Sequence, residues 1–199
     1  MGCDIHLFTE RKRSINNKEK WVNIDHLKLN PYFRVDDFEP QFEVIPLYDD
    51  RNYNLFAMLA NVRNYHNNNI IAAPKGFPDD CSDFVNGEKA RWGEDGHSHS
   101  YFTLKELKEF RNNNKITNYA GFMTPENAIL VDKGEMPKSW CQGTNVEGYV
   151  YKEWRYKDDI IGTLVDRLEK RIREEFYLYG DEETTKYDDE VRIVFWFDN

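Results

Sequence analysis

Cysteine is scarce in this sequence of 199 residues, and its placing is unpromising for chemistry. Cys3, Cys81 and Cys141 are odd in number, widely spaced and without a Cys-x-x-Cys pair, so neither a disulfide framework nor a thiolate zinc site is indicated. No apolar run approaches a membrane span, and Met1-Gly2-Cys3-Asp4 opens no basic-then-apolar leader. Gly2 does not begin a myristoylation motif, because position 6 is His6 rather than Ser or Thr. Positive charge is also short. Against 36 acidic side chains there are 27 basic ones, for a net charge of −9. Neither half of the chain is basic, which excludes the electrostatic footprint of a general nucleic-acid binder. A small anionic ligand is still accessible to a few local Arg, His or backbone N–H groups. The expectation is a soluble protein of a reducing compartment with no membrane attachment.

Aromatic residues are abundant. Twelve Tyr, 13 Phe and 5 Trp make up 15% of the chain, which argues for a packed core rather than disorder. The length suits one domain over 1–199. Residues 3–13 alternate as a strand, with Cys3, Ile5 and Leu7 on one face and Asp4, His6 and Phe8 on the other. Asn16-Asn17-Lys18 carries turn chemistry, and 20–24 is a return strand. Residues 30–50, with three prolines, read as an irregular connection holding at most one short strand. Asp49-Asp50 is placed to cap a helix over 51–64, whose apolar stripe is Leu55, Met58, Leu59 and Val62. Ser82 caps a short helix through Trp92, and Thr103-Leu104-Lys105-Glu106 is a capping box opening a helix to about Arg111. Residues 112–150 look irregular or hairpin-like. The longest helix runs over 159–179, with an apolar stripe of Ile160, Ile161, Leu164, Val165, Leu168, Ile172 and Phe176. An acidic loop at 181–183 follows, then a strand over 191–197 suited to burial beside the first strand. This order predicts an α+β fold: a mostly antiparallel sheet containing the N- and C-terminal strands, with helices packed mainly on one face.

The most chemically loaded stretch is Glu94-Asp95-Gly96-His97-Ser98-His99-Ser100-Tyr101. In an extended segment, residues i and i+2 share a side, which predicts that His97 and His99 point together and that Ser98 and Ser100 share the opposite side. The segment is expected to be a loop between two helices, near a helix N-terminus that attracts anions. Asp4 and His6, also two apart, form a second candidate pair. One carboxylate and three imidazoles from Asp4, His6, His97 and His99 make a ligand set suited to zinc, manganese or iron, with Asp95, Asp49 and Asp50 as spare carboxylates. Such an ion acidifies a bound water and can hydrolyse a phosphoester. Without metal, His97 and His99 can serve as acid and base, with Asp95, or bind phosphate beside Arg51 and Arg63. The predicted 51–64 helix is also unusual for its Asn content, since Asn is a poor helix former. Arg51, Asn52, Tyr53, Asn61, Arg63 and Asn64, together with Trp92, Ser98 and Ser100, are the candidate binding residues, because Asn reads base edges and aromatics stack on them.

Asp4-Ile5-His6 and Gly96-His97-Ser98-His99 partly resemble the opening Asp-x-His and closing Gly-His-x-His motifs of calcineurin-like metallophosphoesterases. The family's central Gly-Asp-x-x-Asp and Gly-Asn-His-Asp/Glu motifs are missing, and the closing motif falls at mid-chain. More broadly, three blocks in the first 110 residues resemble a family of bacteriophage and prophage proteins. They are Met-Gly-Cys-Asp-Ile-His, Arg-Asn-Tyr-x-Leu-Phe-Ala-x-Leu-Ala-Asn-Val-Arg-Asn, and Asp-Gly-His-Ser-His-Ser-Tyr before a Leu-Lys-Glu-Leu helix. That resemblance implies a setting, the cytoplasm of a bacterial host and antagonism of host defence, rather than an activity.

The sequence-level expectation is therefore a pocket formed by the first strand, the 51–64 helix and the His97–His99 segment. It would act on a small phosphate-bearing ligand, a nucleotide, by divalent-metal-assisted hydrolysis. A nucleotide-sequestering protein without turnover is the alternative. In a structural or host-protein interaction module, the histidines would be structural and the aromatics an interface. The long helix suits either its own core or the interface of a homo-oligomer.

Overall fold

The structure is a computed structural model that describes residues 2–34, 40–179 and 188–198, with the side chains of 176–179 outside that set. The side chain of Phe176 and the acidic stretch at 181–183 therefore lie outside the described residues. A four-stranded antiparallel sheet organises the fold. Its strands are β1 (Asp4–Ile15), β2 (Lys18–Asn23), β5 (His97–Thr103) and β8 (Val191–Asp198), in the order β2-β1-β8-β5. The N-terminal strand and the C-terminal strand are neighbours at the centre, with Ile5 opposite Phe197 and Leu7 opposite Phe195. Asn16 and Asn17 both take positive φ, 51° and 60°, so the β1–β2 hairpin closes through a two-residue turn of the kind that matches strand twist.

Helices α1 (Tyr53–Ala60), α3 (Leu104–Asn113) and α5 (Ile160–Tyr179) cover one face. Leu55 and Leu59, Leu107, and Leu164 and Leu168 from these helices meet Ile5, Leu7, Ile193, Phe195 and Phe197 in the main core. The predicted stripe of α5 is buried at Ile161, Leu164, Val165, Leu168 and Ile172. Helix α2 (Asp83–Trp92) lies against the opposite face, where Val85 packs with Phe8, Val194 and Trp196. Ser82 caps α2, and Thr103 with Glu106 forms the predicted capping box of α3. Together these elements are the expected α+β arrangement. No helix among the described residues is long and apolar enough to cross a membrane.

Three expectations need correction. The helix predicted over 51–64 is only α1, eight residues long. Asn52, not Asp49-Asp50, caps it by accepting from the Asn54 and Leu55 amides. At its other end Asn61 turns left-handed, φ 58°, and its N–H returns to Ala57 O at 2.8 Å. Asn tolerates that conformation better than other residues with a side chain, so the asparagines that disfavour helix interior here punctuate the helix. Arg63 also takes positive φ, 51°, and Arg63 and Asn64 belong to the loop beyond.

The region 112–150 is hairpin-like, one of its two expected readings, and the unexpected element in it is a helix. This region holds β6 (Ile116–Met123) and α4 (Pro125–Asp132), and β6 pairs antiparallel with β7 (Val150–Lys157) as a second sheet. Thr124 as N-cap followed by Pro125 at the first helical turn is a start signal outweighed in the sequence by the surrounding Asn and Gly. The connection 30–50 contains one short strand as expected, β4 (Phe42–Ile45), which pairs with an unanticipated β3 (His26–Leu29).

The third correction concerns the His97–His99 segment, which is a strand at the edge of the main sheet rather than a loop between helices.

Candidate functional site

The register of β5 decides what its histidines can do. His97 lies opposite Phe197 and Ser100 opposite Phe195, so three residue steps on β5 face two on β8. This is a β-bulge. Its extra residue includes Ser98, whose φ is +52°, and it breaks the two-residue alternation. His97 consequently stacks on Phe197, on the face of α1 and α5, with ring centroids 6.1 Å apart. His99 stacks on Trp196, on the face of α2, at 5.7 Å. The expectation that His97 and His99 share a side is overturned. Ser98 and Ser100 do not form a polar pair either: Ser98 Oγ lies 3.0 Å from His97 Nδ1, and fully buried Ser100 accepts from the Lys75 amide. Gly96 serves close packing rather than a sharp turn, because a Cβ there would lie 3.1 Å from the Trp196 ring and 3.4 Å from that of His99.

His6 flanks Trp196 from the other side, with centroids 5.9 Å apart, and packs on Trp92 at 3.8 Å. Its Nε2 is 3.2 Å from Asp198 Oδ2, at an angle that does not make a hydrogen bond. The Trp196 indole thus stands between His6 and His99, and Asp4 is committed elsewhere, to a bidentate pair with Arg51. That pair holds the Asp4 carboxyl below its ordinary range. Burial, then Lys89 and His97, holds the His99 imidazole below the usual histidine range, as expected of a ring packed neutral. Among the described residues, no three His, Cys, Asp or Glu side chains converge closely enough to hold a metal ion. Asp95 is exposed at the rim of a cavity of about 770 Å³ that also includes His6, Trp92, Asp4 and Asp198.

A different site lies on the other side of Asp4. Arg51, Asn52, Tyr53 and Arg63 line a cleft of about 650 Å³ between α1, β6 and the start of α5. The Arg63 guanidinium lies 5.1 Å from the centre of the Tyr53 ring and donates to Gly2 O at 3.0 Å. Arg51 has five N–H donors, two of them engaged by Asp4. Tyr65, His66, Tyr119, Trp140, Gln142 and Asp158 also line the cleft. The Tyr119 hydroxyl donates to Asp158, and burial followed by that carboxylate raises its pKa.

The asparagines hold the walls together. The Asn68 side chain accepts from the Asn118 amide at 2.8 Å and donates to Asn118 O at 3.2 Å, imitating a strand partner for β6. It also donates to Asn54 on α1 at 3.0 Å. Asn64 accepts from the Asn68 amide and donates to Asn61 and to Asn68 O. Asn61 and Asn64, candidate binding residues from the sequence, shape the loop that carries Arg63, Tyr65 and His66.

Of the candidate binding residues, Arg51, Asn52, Tyr53 and Arg63 line this cleft, whereas Trp92 packs on His6 and Ser98 and Ser100 lie on β5. Sequence reasoning missed Tyr65, Tyr119, Trp140, Gln142 and Asp158. Tyr65 directly follows Asn64, but Tyr119, the Trp140–Gln142 stretch and Asp158 come from separate segments, and no local spacing marks those as its neighbours. Compared with known proteins, the chain matches no family model, no curated protein and no solved structure.

Proposed function

We propose that this protein binds a small, planar, phosphate-bearing ligand of the nucleotide class in the α1–β6 cleft and sequesters it without turnover. One observation carries this: two guanidiniums, Arg51 and Arg63, and five aromatic rings, Tyr48, Tyr53, Tyr65, Tyr119 and Trp140, line the same 650 Å³. Arginine's fork suits phosphate oxygens, aromatic faces suit a base, and the volume falls within the range of small-molecule sites. The ligand's phosphate competes with Asp4 for Arg51. Hydrolysis by a bound zinc, manganese or iron ion loses its support, because its donor set is divided by Trp196 and by the two faces of the sheet. The phage-like motifs supply a setting for sequestration, removal of a nucleotide signal from a bacterial host's cytoplasm.

Native mass spectrometry of the untagged protein as purified tests this, together with calorimetric titration of nucleoside mono-, di- and triphosphates. An added mass in the nucleotide range, or a saturable heat weakened about tenfold or more in Arg51→Ala, is the expected result. A bare mass with no heat from any nucleotide overturns the proposal, and an added transition-metal mass with phosphodiester hydrolysis returns the metal-hydrolase reading.

A further inference from the structure

The cleft differs in chemistry from one wall to the other. The guanidiniums of Arg51 and Arg63 stand on the α1 side. On the opposite side an aromatic block is locked in place: the Tyr119 and Trp154 rings stack at 5.4 Å and 10°, and Trp140 stands edge-on to both, at 5.9 and 5.5 Å. Gly121 makes that packing possible, since a Cβ there would lie 2.8 Å from the Trp140 ring and from Cys141 O. Tyr119 and Trp154 are buried, whereas Trp140 remains 40% exposed where it lines the cleft. Such a ring is pre-organised for stacking, because its rotamer is already fixed by its neighbours.

Half-buried Asp158 adjoins this block. Its carboxylate accepts from the Tyr119 hydroxyl through Oδ2 and from the Asp159 amide through Oδ1, at 2.7 Å for the latter. An ionised carboxylate has about four acceptor positions and no donor, so acceptor capacity remains for a ligand. Asp159, its neighbour in the lining, is held by Arg111 and caps the Gly162 amide. Asp50 is drawn toward Arg167. Asp158 is therefore the carboxylate placed to read a ligand at the aromatic end.

We propose that the ligand lies with its phosphate at Arg51 and Arg63 and its base on Trp140, and that Asp158 accepts a hydrogen bond from an exocyclic amino group of that base. The inference rests on the cleft being a nucleotide site, and it narrows the class to bases that carry an exocyclic amino group. A keto oxygen in the same position faces an acceptor-only group and is repelled.

Calorimetric titration of the protein with AMP against IMP, and with CMP against UMP, tests this, since each pair differs at the amino or keto position. The amino member is expected to bind roughly 10- to 100-fold more tightly, the range of a hydrogen bond to a charged acceptor. In Asp158→Asn the side-chain amide keeps an oxygen for Tyr119 and gains a donor, so that ratio is expected to fall toward one. Equal binding of both members by the unaltered protein overturns the inference and leaves the nucleotide site standing. A preference that survives intact in Asp158→Asn overturns the role of Asp158. Absence of binding by all four nucleotides overturns the nucleotide site itself. The ratio in the unaltered protein decides the base class even where the variant folds poorly.

Discussion

The stretch 94–101, with its two histidines, and the stretch 52–69, with its asparagines, are both dense in polar side chains, yet the fold uses them in opposite ways. In the first, the histidines and Ser100 are taken up by packing: His99 lies on Trp196, His97 on Phe197, and Ser100 is buried and accepts from the Lys75 amide. In the second, hydrogen bonds among the asparagines hold the backbone open, so that Arg63, Tyr65 and His66 reach a shared volume. What separates them is the partner each meets. A strand against an aromatic sheet face buries its rings, whereas a loop whose amides are satisfied by its own Asn side chains can remain beside a cleft.

The sharpest way to test that contrast is to remove its apolar half. Trp196 is fully buried between His6 and His99, so Trp196→Ala is expected to cost about 3–5 kcal/mol, measured by urea denaturation. A loss under about 1 kcal/mol would mean that the histidines do not depend on that face. Next, Asn68→Ala leaves the Asn118 amide and carbonyl without their side-chain partner. About 1–3 kcal/mol of stability is expected to go with it, together with weaker nucleotide binding, because the two walls of the cleft lose their tie. Unchanged binding in a destabilised Asn68→Ala would place the ligand elsewhere.

His97→Ala and His99→Ala are expected to cost only about 1 kcal/mol each, the scale of a lost aromatic stack, and to leave nucleotide affinity intact. Loss of affinity in either would break the comparison and bring the His-x-His segment back into the site. The smallest effect is in pH. The His99 imidazole is held below its ordinary value of 6.5, so the unfolded chain takes up the proton first as pH falls. The stability contributed by the neutral ring is present above about pH 6.5 and declines as pH falls below it. In His99→Phe the stability lost between pH 7 and pH 5 is expected to be smaller than in the unaltered protein, measured by thermal unfolding; an identical loss would assign the decline to other groups.

Much of the fold was legible because it is written in local signals. The alternation of 3–13, the Asn16-Asn17 turn, the Ser82 and Thr103 caps and the continuous stripe from Ile161 to Ile172 each report one element through neighbours along the chain. The site was legible only in part. Arg51, Asn52, Tyr53 and Arg63 were found because all four fall in one short stretch, 51–64, whose polar content is unusual for a helix. The bulge at Ser98 was not legible, since one inserted residue in a strand leaves no compositional mark but sends every later side chain to the other face.

By itself the sequence determined the first hairpin, the helices α2, α3 and α5, the placing of its first and last strands in one mostly antiparallel sheet and a net charge of −9, because periodicity, caps and composition are local. Only the tertiary structure decided which polar residues meet. It separated His6 from His99 by an indole and His97 from His99 by a sheet. It also brought Trp140 and Asp158 across from Arg51, because long-range packing sets such distances and sequence spacing does not.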